Sequence, residues 1–373
     1  MHEGERNEEI SAYLGERIAE GDFPSAVYLV AERGRVQFRD ALGHAVLGPP
    51  ERRAALDTIY DLASLTKPLV TGMLCARYVE KRELKLDAEV RTYLPEFDTP
   101  EKRAVTLRHL LTHTSGLPAW RPLYITTGGR KSEALSEIAS APLEAAVGTR
   151  VRYSDLGFIT LGLLLERISG GQLKEVARRE IFEPLGLNRT FFNPEMALQT
   201  ETAACETGNL YERGMCGEMK LGESYTGWRE QLIWGEVHDG NAHFLGGAAG
   251  HAGLFSTAVE TLRLAEQFLS SRTQLLEPET CALFHTNMTE GLEEARSFAW
   301  QLAGTKDSTA GQDLPFTSFG HTGFTGTSCW IDATRERVFL LFTNRTHGAR
   351  SLPFVNINGV RRRFHSMAAR ALG

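Results

Sequence analysis

At 373 residues, with 42% hydrophobic and 24% charged side chains, the chain has an ordinary globular composition and enough length for two domains or one elaborated domain. A net charge of −6 and no long basic run argue against nucleic acid or an anionic membrane as partners, the short Arg361-Arg362-Arg363 cluster reading as the face of a terminal helix. No apolar stretch approaches a membrane span, the polar, acidic start lacks the order of a secretory signal, and five scattered cysteines without C-x-x-C spacing read as reduced, so a cytoplasmic location is expected.

Residues 7 to 20 carry an amphipathic helical pattern, and Ser25 to Glu32 and Arg35 to Ala45 read as strands around an Arg33-Gly34 turn. The next stretch, Asp61-Leu62-Ala63-Ser64-Leu65-Thr66-Lys67-Pro68, organises the rest. Ser64 is the only serine with a lysine three residues on, and Leu69, Val70, Met73, Leu74 and Ala76 follow at helical spacing, so a helix should begin at Ser64. Lys67 then lies one turn along on the same face. Pro68 is tolerated there because first-turn N–H groups have no intrahelical acceptor. A serine hydroxyl needs a base within hydrogen-bond reach to act as a nucleophile, and a helix N-terminus favours developing negative charge. A bare S-x-x-K is more often an N-cap serine with a solvated lysine, so the remaining chain must decide.

From Leu86 to about Gly170 the pattern is helical with Pro and Gly breaks: Asp87 to Leu94, Thr106 to Thr112, Ser132 to Ser140 and Leu156 to Ile168, then Leu173 to Ile181. Residues 190 to 250 are expected to form loops, some walling a cleft. A helix follows Ser256, and strands are expected at Phe298 to Leu302, Thr327 to Asp332 and Val338 to Thr343, before a last helix after Asn358. The sheet is thus assembled from both chain ends. His238, Asp239, His243 and His251 suggest a metal site, but they lack an i, i+4 histidine pair and sit in a glycine-rich stretch that reads better as a polar cleft loop. His109 and His113 have that spacing, at a helix end that suits packing and capping.

Tyr153-Ser154-Asp155 precedes a helix, with Ser154 or Asp155 as N-cap, and Gly320-His321-Thr322-Gly323-Phe324-Thr325-Gly326-Thr327 stands at a strand edge. S-x-x-K, then Y-x-D, then H-T-G, in this order, resemble the penicillin-binding and serine β-lactamase-like superfamily. Two further stretches look like signatures of its class C β-lactamase, D-alanyl carboxypeptidase and esterase branch. They are Leu107-Arg108-His109-Leu110-Leu111-Thr112-His113-Thr114-Ser115-Gly116-Leu117-Pro118 and Gly250-His251-Ala252-Gly253-Leu254-Phe255-Ser256-Thr257-Ala258.

The resemblance implies that Ser64 is the acylated nucleophile, Lys67 its activating base and Tyr153 the relay of protons to the leaving group. It implies an oxyanion hole of the Ser64 and Phe324 N–H groups, with Asp155, His321, Thr322 and Gly323 contacting substrate. Asp155 stands where asparagine is usual and His321 where lysine is usual, so efficient penicillin turnover is not implied. Next to a charged lysine Asp155 would raise its pKa, and His321 would change charge inside the physiological range. The expected fold class is α/β (α+β), an antiparallel sheet flanked by helices plus an inserted, mostly helical domain. Residues 1–70 and 252–373 would form the sheet domain and 71–251 the helical domain with cleft-lining loops. The expected function is a cofactor-free, metal-free serine hydrolase acting on a small-molecule ester, amide or peptide substrate. A small ester or cell-wall-type peptide is preferred over an antibiotic; the alternatives are a true β-lactamase or D-alanyl-D-alanine carboxypeptidase, or a sensor that is acylated without turnover.

Overall fold

The computed structural model describes residues 4–349 and 352–373; the first residues of the polar start, 1–3, lie outside them. Helix α1 (Glu8–Glu20) begins where Asn7 Oδ1 accepts the Ile10 N–H at 3.1 Å and ends at Gly21, whose φ of 87° suits a residue without Cβ. Strands β1 (Ser25–Glu32) and β2 (Arg35–Val46) form the expected hairpin, with left-handed Arg33 and Gly34 at its tip. Short strands β3 (Arg52–Arg53) and β4 (Tyr60–Asp61) lead to the Ser64 turn and helix α2 (Met73–Glu80).

The middle of the chain supplies helices α3 (Leu107–Leu111), α4 (Leu123–Thr126), α5 (Ala134–Ser140), α6 (Asp155–Ser169) and α7 (Leu173–Ala177). It continues through β5 (Phe191–Phe192), α8 (Leu210–Glu218), α9 (Gly240–Phe244), β6 (Leu254–Ser256) and α10 (Ala258–Ala265). Strands β7 (Gln301–Leu302), β8 (Phe319–Thr322), β9 (Ser328–Asp332) and β10 (Arg337–Thr343) precede α11 (Asn358–Leu372).

Among the described residues the main sheet has seven strands in the order β3-β2-β1-β10-β9-β8-β7, all antiparallel, joining the two ends of the chain. Its central strands are buried on both faces, which is why β1 and β10 read as nearly continuous apolar runs. Val27, Leu29, Leu340 and Phe342 face a core shared with Leu69, Met73 and Phe268, while Tyr28, Val30, Phe339 and Leu341 face Ile10, Leu14 and Phe364 of α1 and α11. A second, three-stranded sheet, β4-β6-β5, pairs Tyr60 with Ser256 and Phe191 with Phe255 just before the Ser64 turn.

Four sequence expectations are corrected. Residues 87–94 form no helix beyond one 3-10 turn, Val90–Thr92, because the Val90 N–H is bonded across to the Val105 carbonyl and Glu89 bridges Thr106. The strand expected from Phe298 shortens to Gln301–Leu302, since left-handed Ala299 turns the chain and Ser297 N–H closes on the Trp300 carbonyl. The stretch from 190 to 250 contains β5, α8 and α9. Helix α8 was hidden because its buried positions are Glu212 and Cys216 while Leu210 is 55% exposed, leaving no apolar stripe to read. His321 and Thr322 lie within strand β8, not merely at its edge.

Candidate active site

The chain reaches Ser64 through a strained turn. Ala63 is left-handed (φ 47°), its N–H held by Asp61 Oδ1 at 2.8 Å, and Ser64 then sits inside the 3-10 turn Ala63–Leu65. The expected α-helix does not begin at Ser64. Pro68 has no N–H to return to the Ser64 carbonyl, the chain widens into a π-turn over Lys67–Gly72, and regular α-helix starts at Met73. The spacing nevertheless does what a helical turn would: Lys67 Nζ lies 2.8 Å from Ser64 Oγ. The ammonium is fully buried and also donates to the His251 carbonyl at 3.1 Å, with Asp155 Oδ1 2.7 Å away.

Tyr153 and Asp155 are positioned by the start of α6. Ser154 is its N-cap, accepting the Gly157 N–H at 3.1 Å and donating to the Pro118 carbonyl at 2.7 Å, while Asp155 N–H reaches the Ala119 carbonyl at 2.8 Å. His113, itself left-handed at φ 59°, accepts the Ser154 N–H on Nδ1 at 3.0 Å and lays its ring 4.5 Å from that of Tyr153. Tyr153 faces the same pair: its ring centroid lies 4.9 Å from Lys67 Nζ, and the interactions of its hydroxyl with Lys67 and Ser64 oppose the rise that burial gives its pKa.

The other wall is the end of β8. Thr325 Oγ1 donates to the Asp61 carbonyl at 2.7 Å and Thr327 Oγ1 to the Leu62 carbonyl at 3.0 Å, stitching this turn to the residues before Ser64. A Cβ on Gly323 would meet Thr327 Oγ1 at 2.1 Å and the Leu62 carbonyl oxygen at 2.5 Å, so only glycine permits this approach. Among the described residues, the Ser64 and Phe324 N–H groups make no hydrogen bond within the chain. Ser64, Tyr153, Asp155, His321, Thr322, Gly323 and Phe324 all line one cleft of about 490 Å³, with Lys67 behind its wall.

Charge in the cleft is set by neighbours distant in sequence. Burial opposes the charge of Lys67, but the Asp155 carboxylate and Tyr153 outweigh it and raise its pKa, so the resting lysine is an ammonium. Burial likewise raises the Tyr153 pKa. His321 departs from the sequence expectation of a charge change near neutrality. It is 5% exposed, and burial, Lys67 and Arg296 push its pKa well down, so it is neutral. Its Nδ1–H donates to the Thr322 carbonyl at 2.9 Å, which leaves Nε2 as a buried lone pair without a partner.

The histidines considered for a metal instead pair one by one with carboxylates: His238 with Glu206 at 2.9 Å, His251 with Asp239 at 2.8 Å, and His243 with Glu236 at 3.4 Å. Sequence reasoning missed Glu212, which accepts from Tyr124 and the Gly240 N–H and whose carboxyl is pushed up to about 7 by burial and by Asp239. It missed Arg296, Arg345 and Arg361 on the cleft wall as well. No local pattern marks these residues; the H-T-S-G stretch was the one signal pointing to His113.

Comparison with known proteins shows the family of the chain and the likeness of its fold. A family model described as Beta-lactamase matches residues 10–359. A relative from Escherichia coli (strain K12), named as a D-alanyl-D-alanine carboxypeptidase, is 29% identical over 381 residues, covering 95% of this chain and 86% of its own. Among solved structures, EstCE1, a hydrolase with promiscuous acyltransferase activity, superposes with a TM-score of 0.72 at 23% identity, over 96% of this chain and 97% of its own. A class C beta lactamase from Rhodobacter sphaeroides gives a TM-score of 0.73 at 18% identity, over 98% and 100% of the two chains. At these identities the structural likeness speaks for the fold.

Proposed function

The chain belongs to the beta-lactamase family and is a serine hydrolase, and from that premise we propose that Ser64 forms the acyl-enzyme at the cleft just described. Lys67, once its resting ammonium has lost a proton to solvent, removes the Ser64 proton as Oγ attacks an ester or amide carbonyl. The Ser64 and Phe324 N–H groups receive the oxyanion of the tetrahedral intermediate, and Tyr153 passes a proton to the leaving group. Water then attacks the acyl-enzyme, Tyr153 taking its proton, and Lys67 returns a proton to Ser64 Oγ as the acid leaves. The observation that carries this reading is Lys67 Nζ at 2.8 Å from Ser64 Oγ, with the Tyr153 ring 4.9 Å from the same Nζ.

Asp155, His321, Thr322 and Gly323 contact substrate in this reading. The neutral His321 offers an acceptor where a fixed cation would favour a substrate carboxylate, which supports a small ester or a peptide amide over a β-lactam antibiotic. The name of the Escherichia coli relative favours a D-alanyl peptide as the second candidate. The lobes we propose are residues 1–70 with 252–373, and 71–251, with the cleft between them. Five free, buried cysteines support a reducing compartment such as the cytoplasm. Among the described residues no helix is long and apolar enough to cross a membrane.

The test is a panel of p-nitrophenyl esters, D-amino-acid peptides and nitrocefin, read beside intact-protein mass. Ser64→Ala should lose turnover of every substrate, and a fluorophosphonate adduct should map to Ser64. Wild-type turnover in that variant, or a label elsewhere, would refute the mechanism; a burst without steady turnover would mark a sensor.

A further inference from the structure

Two guanidinium groups hold the carbonyls on either side of the Phe324 N–H. Arg361, on α11 and 4% exposed, donates from Nη2 to the carbonyls of Gly323 at 2.7 Å and Thr327 at 3.0 Å, and from Nη1 to Asn358 Oδ1 at 3.0 Å. Arg345, just after β10, donates from Nε to the Phe324 carbonyl at 2.7 Å and from Nη1 to the Val355 carbonyl at 2.9 Å. Neither guanidinium has a carboxylate within ion-pair distance among the described residues, in contrast to Arg296, which is paired with Glu294 at 2.6 Å.

The Gly323 carbonyl and the Phe324 N–H belong to one peptide group. A cation bonded to the carbonyl oxygen draws electron density through the conjugated C–N bond and makes the N–H a stronger donor. It also fixes the peptide plane, and with it the direction in which the N–H points. Burial and the nearby Arg345 push the Arg361 pKa down to about 9, which leaves it charged at neutral pH with no counter-ion to dilute its field on this peptide.

We propose that Arg361 is a positioning residue of the oxyanion hole, acting through the Gly323 carbonyl to orient and polarise the Phe324 N–H. This rests on the reading of Ser64 and Phe324 given above. A direct role as anchor for a substrate carboxylate fits less well. Both Nη2–H groups and one Nη1–H are already bonded within the chain and Nε is buried without a partner, so a two-point grip on a carboxylate would have to displace the carbonyls. A second tie on the same turn, Arg345 to the Phe324 carbonyl, holds the following peptide in the same way.

The experiment compares Arg361→Met, Arg361→Gln and Arg361→Lys with the wild type, rates being normalised to sites titrated by fluorophosphonate. The substrates are p-nitrophenyl butyrate and a matched ester bearing a carboxylate; phenylboronic acid serves as tetrahedral mimic. Losing a whole oxyanion donor costs about 10²- to 10³-fold in kcat, and a donor merely weakened should cost on the order of tenfold. Arg361→Met should therefore lower kcat about tenfold on both esters, change KM little, and weaken phenylboronic acid by the same factor. Arg361→Lys should recover most of this loss and Arg361→Gln, a neutral donor, less. If Arg361→Met does not fold, the ranking of lysine above glutamine carries the test. Equal kcat per titrated site in all variants, or a loss confined to KM of the carboxylate-bearing ester, would overturn the proposal. Wild-type turnover in Ser64→Ala would instead overturn the reading beneath it.

Discussion

Replacing Ser154 with alanine should cost about 1.5–3 kcal/mol and slow catalysis, although Ser154 itself does not line the cleft. The side chain is 1% exposed, and its hydroxyl does two things: it accepts the Gly157 N–H at 3.1 Å, capping α6, and donates to the buried Pro118 carbonyl at 2.7 Å. Loss of a serine cap costs about 0.5–2 kcal/mol. Stripping a buried carbonyl of its donor adds about 1 kcal/mol, while one missing oxygen leaves too little space for a cavity cost. The Ser154 N–H to His113 Nδ1 bond survives, so the His113 stack on Tyr153 should persist. Asp155 is the first helical residue, however, and fraying of that turn loosens it against Lys67. We therefore expect kcat to fall more than KM rises. The assay is urea unfolding followed by circular dichroism, with kcat and KM for p-nitrophenyl butyrate from the same preparation. A loss below about 0.5 kcal/mol would refute the capping argument. The predicted loss with an unchanged kcat would show that the first turn of α6 does not hold the catalytic groups.

Asp155→Asn removes the main support of the Lys67 charge, so the rise of kcat/KM with pH should move to lower pH; an unmoved profile would mean that Lys67 is not the titrating base. Because buried His321 is neutral well below its ordinary range, kcat/KM profiles for matched neutral and anionic esters should run parallel from about pH 6 to 8, and divergence near pH 6.5 would contradict that. Glu212 has a folded pKa of about 7, above its ordinary 4.5, so the stability it contributes is present at acid pH and disappears as pH rises through 7. Among its neighbours, Asp239 favours the protonated form, while His238 and the Tyr124 and Gly240 donors favour the carboxylate. Glu212→Gln should then gain in urea midpoint relative to wild type between about pH 7 and 9 and not at pH 4.5; a difference constant with pH would refute the assignment.

Much of this protein follows from local rules that a linear chain can express. The strand-like runs of β1 and β10, the helix N-cap within Tyr153-Ser154-Asp155 and the three-residue offset of Lys67 from Ser64 depend on near neighbours, and each was readable before any tertiary contact. The order of the S-x-x-K, Y-x-D and H-T-G stretches carried the family resemblance for the same reason. Other features are decided by groups that meet only on folding. Residues 87–94 lose their helix to a backbone bond with Val105, and α8 is stabilised through a buried glutamate where periodicity has nothing to register. The charge of Lys67 depends on Asp155 from the start of α6, and the neutrality of His321 on burial beside that same lysine and Arg296. The grip of Arg361 on the Gly323 carbonyl joins α11 to the end of β8. Spacing along the chain determines which side chains share a face. Solvent exclusion and the distance between charges, which exist only in the folded molecule, determine which protons those side chains carry and where their hydrogen bonds point.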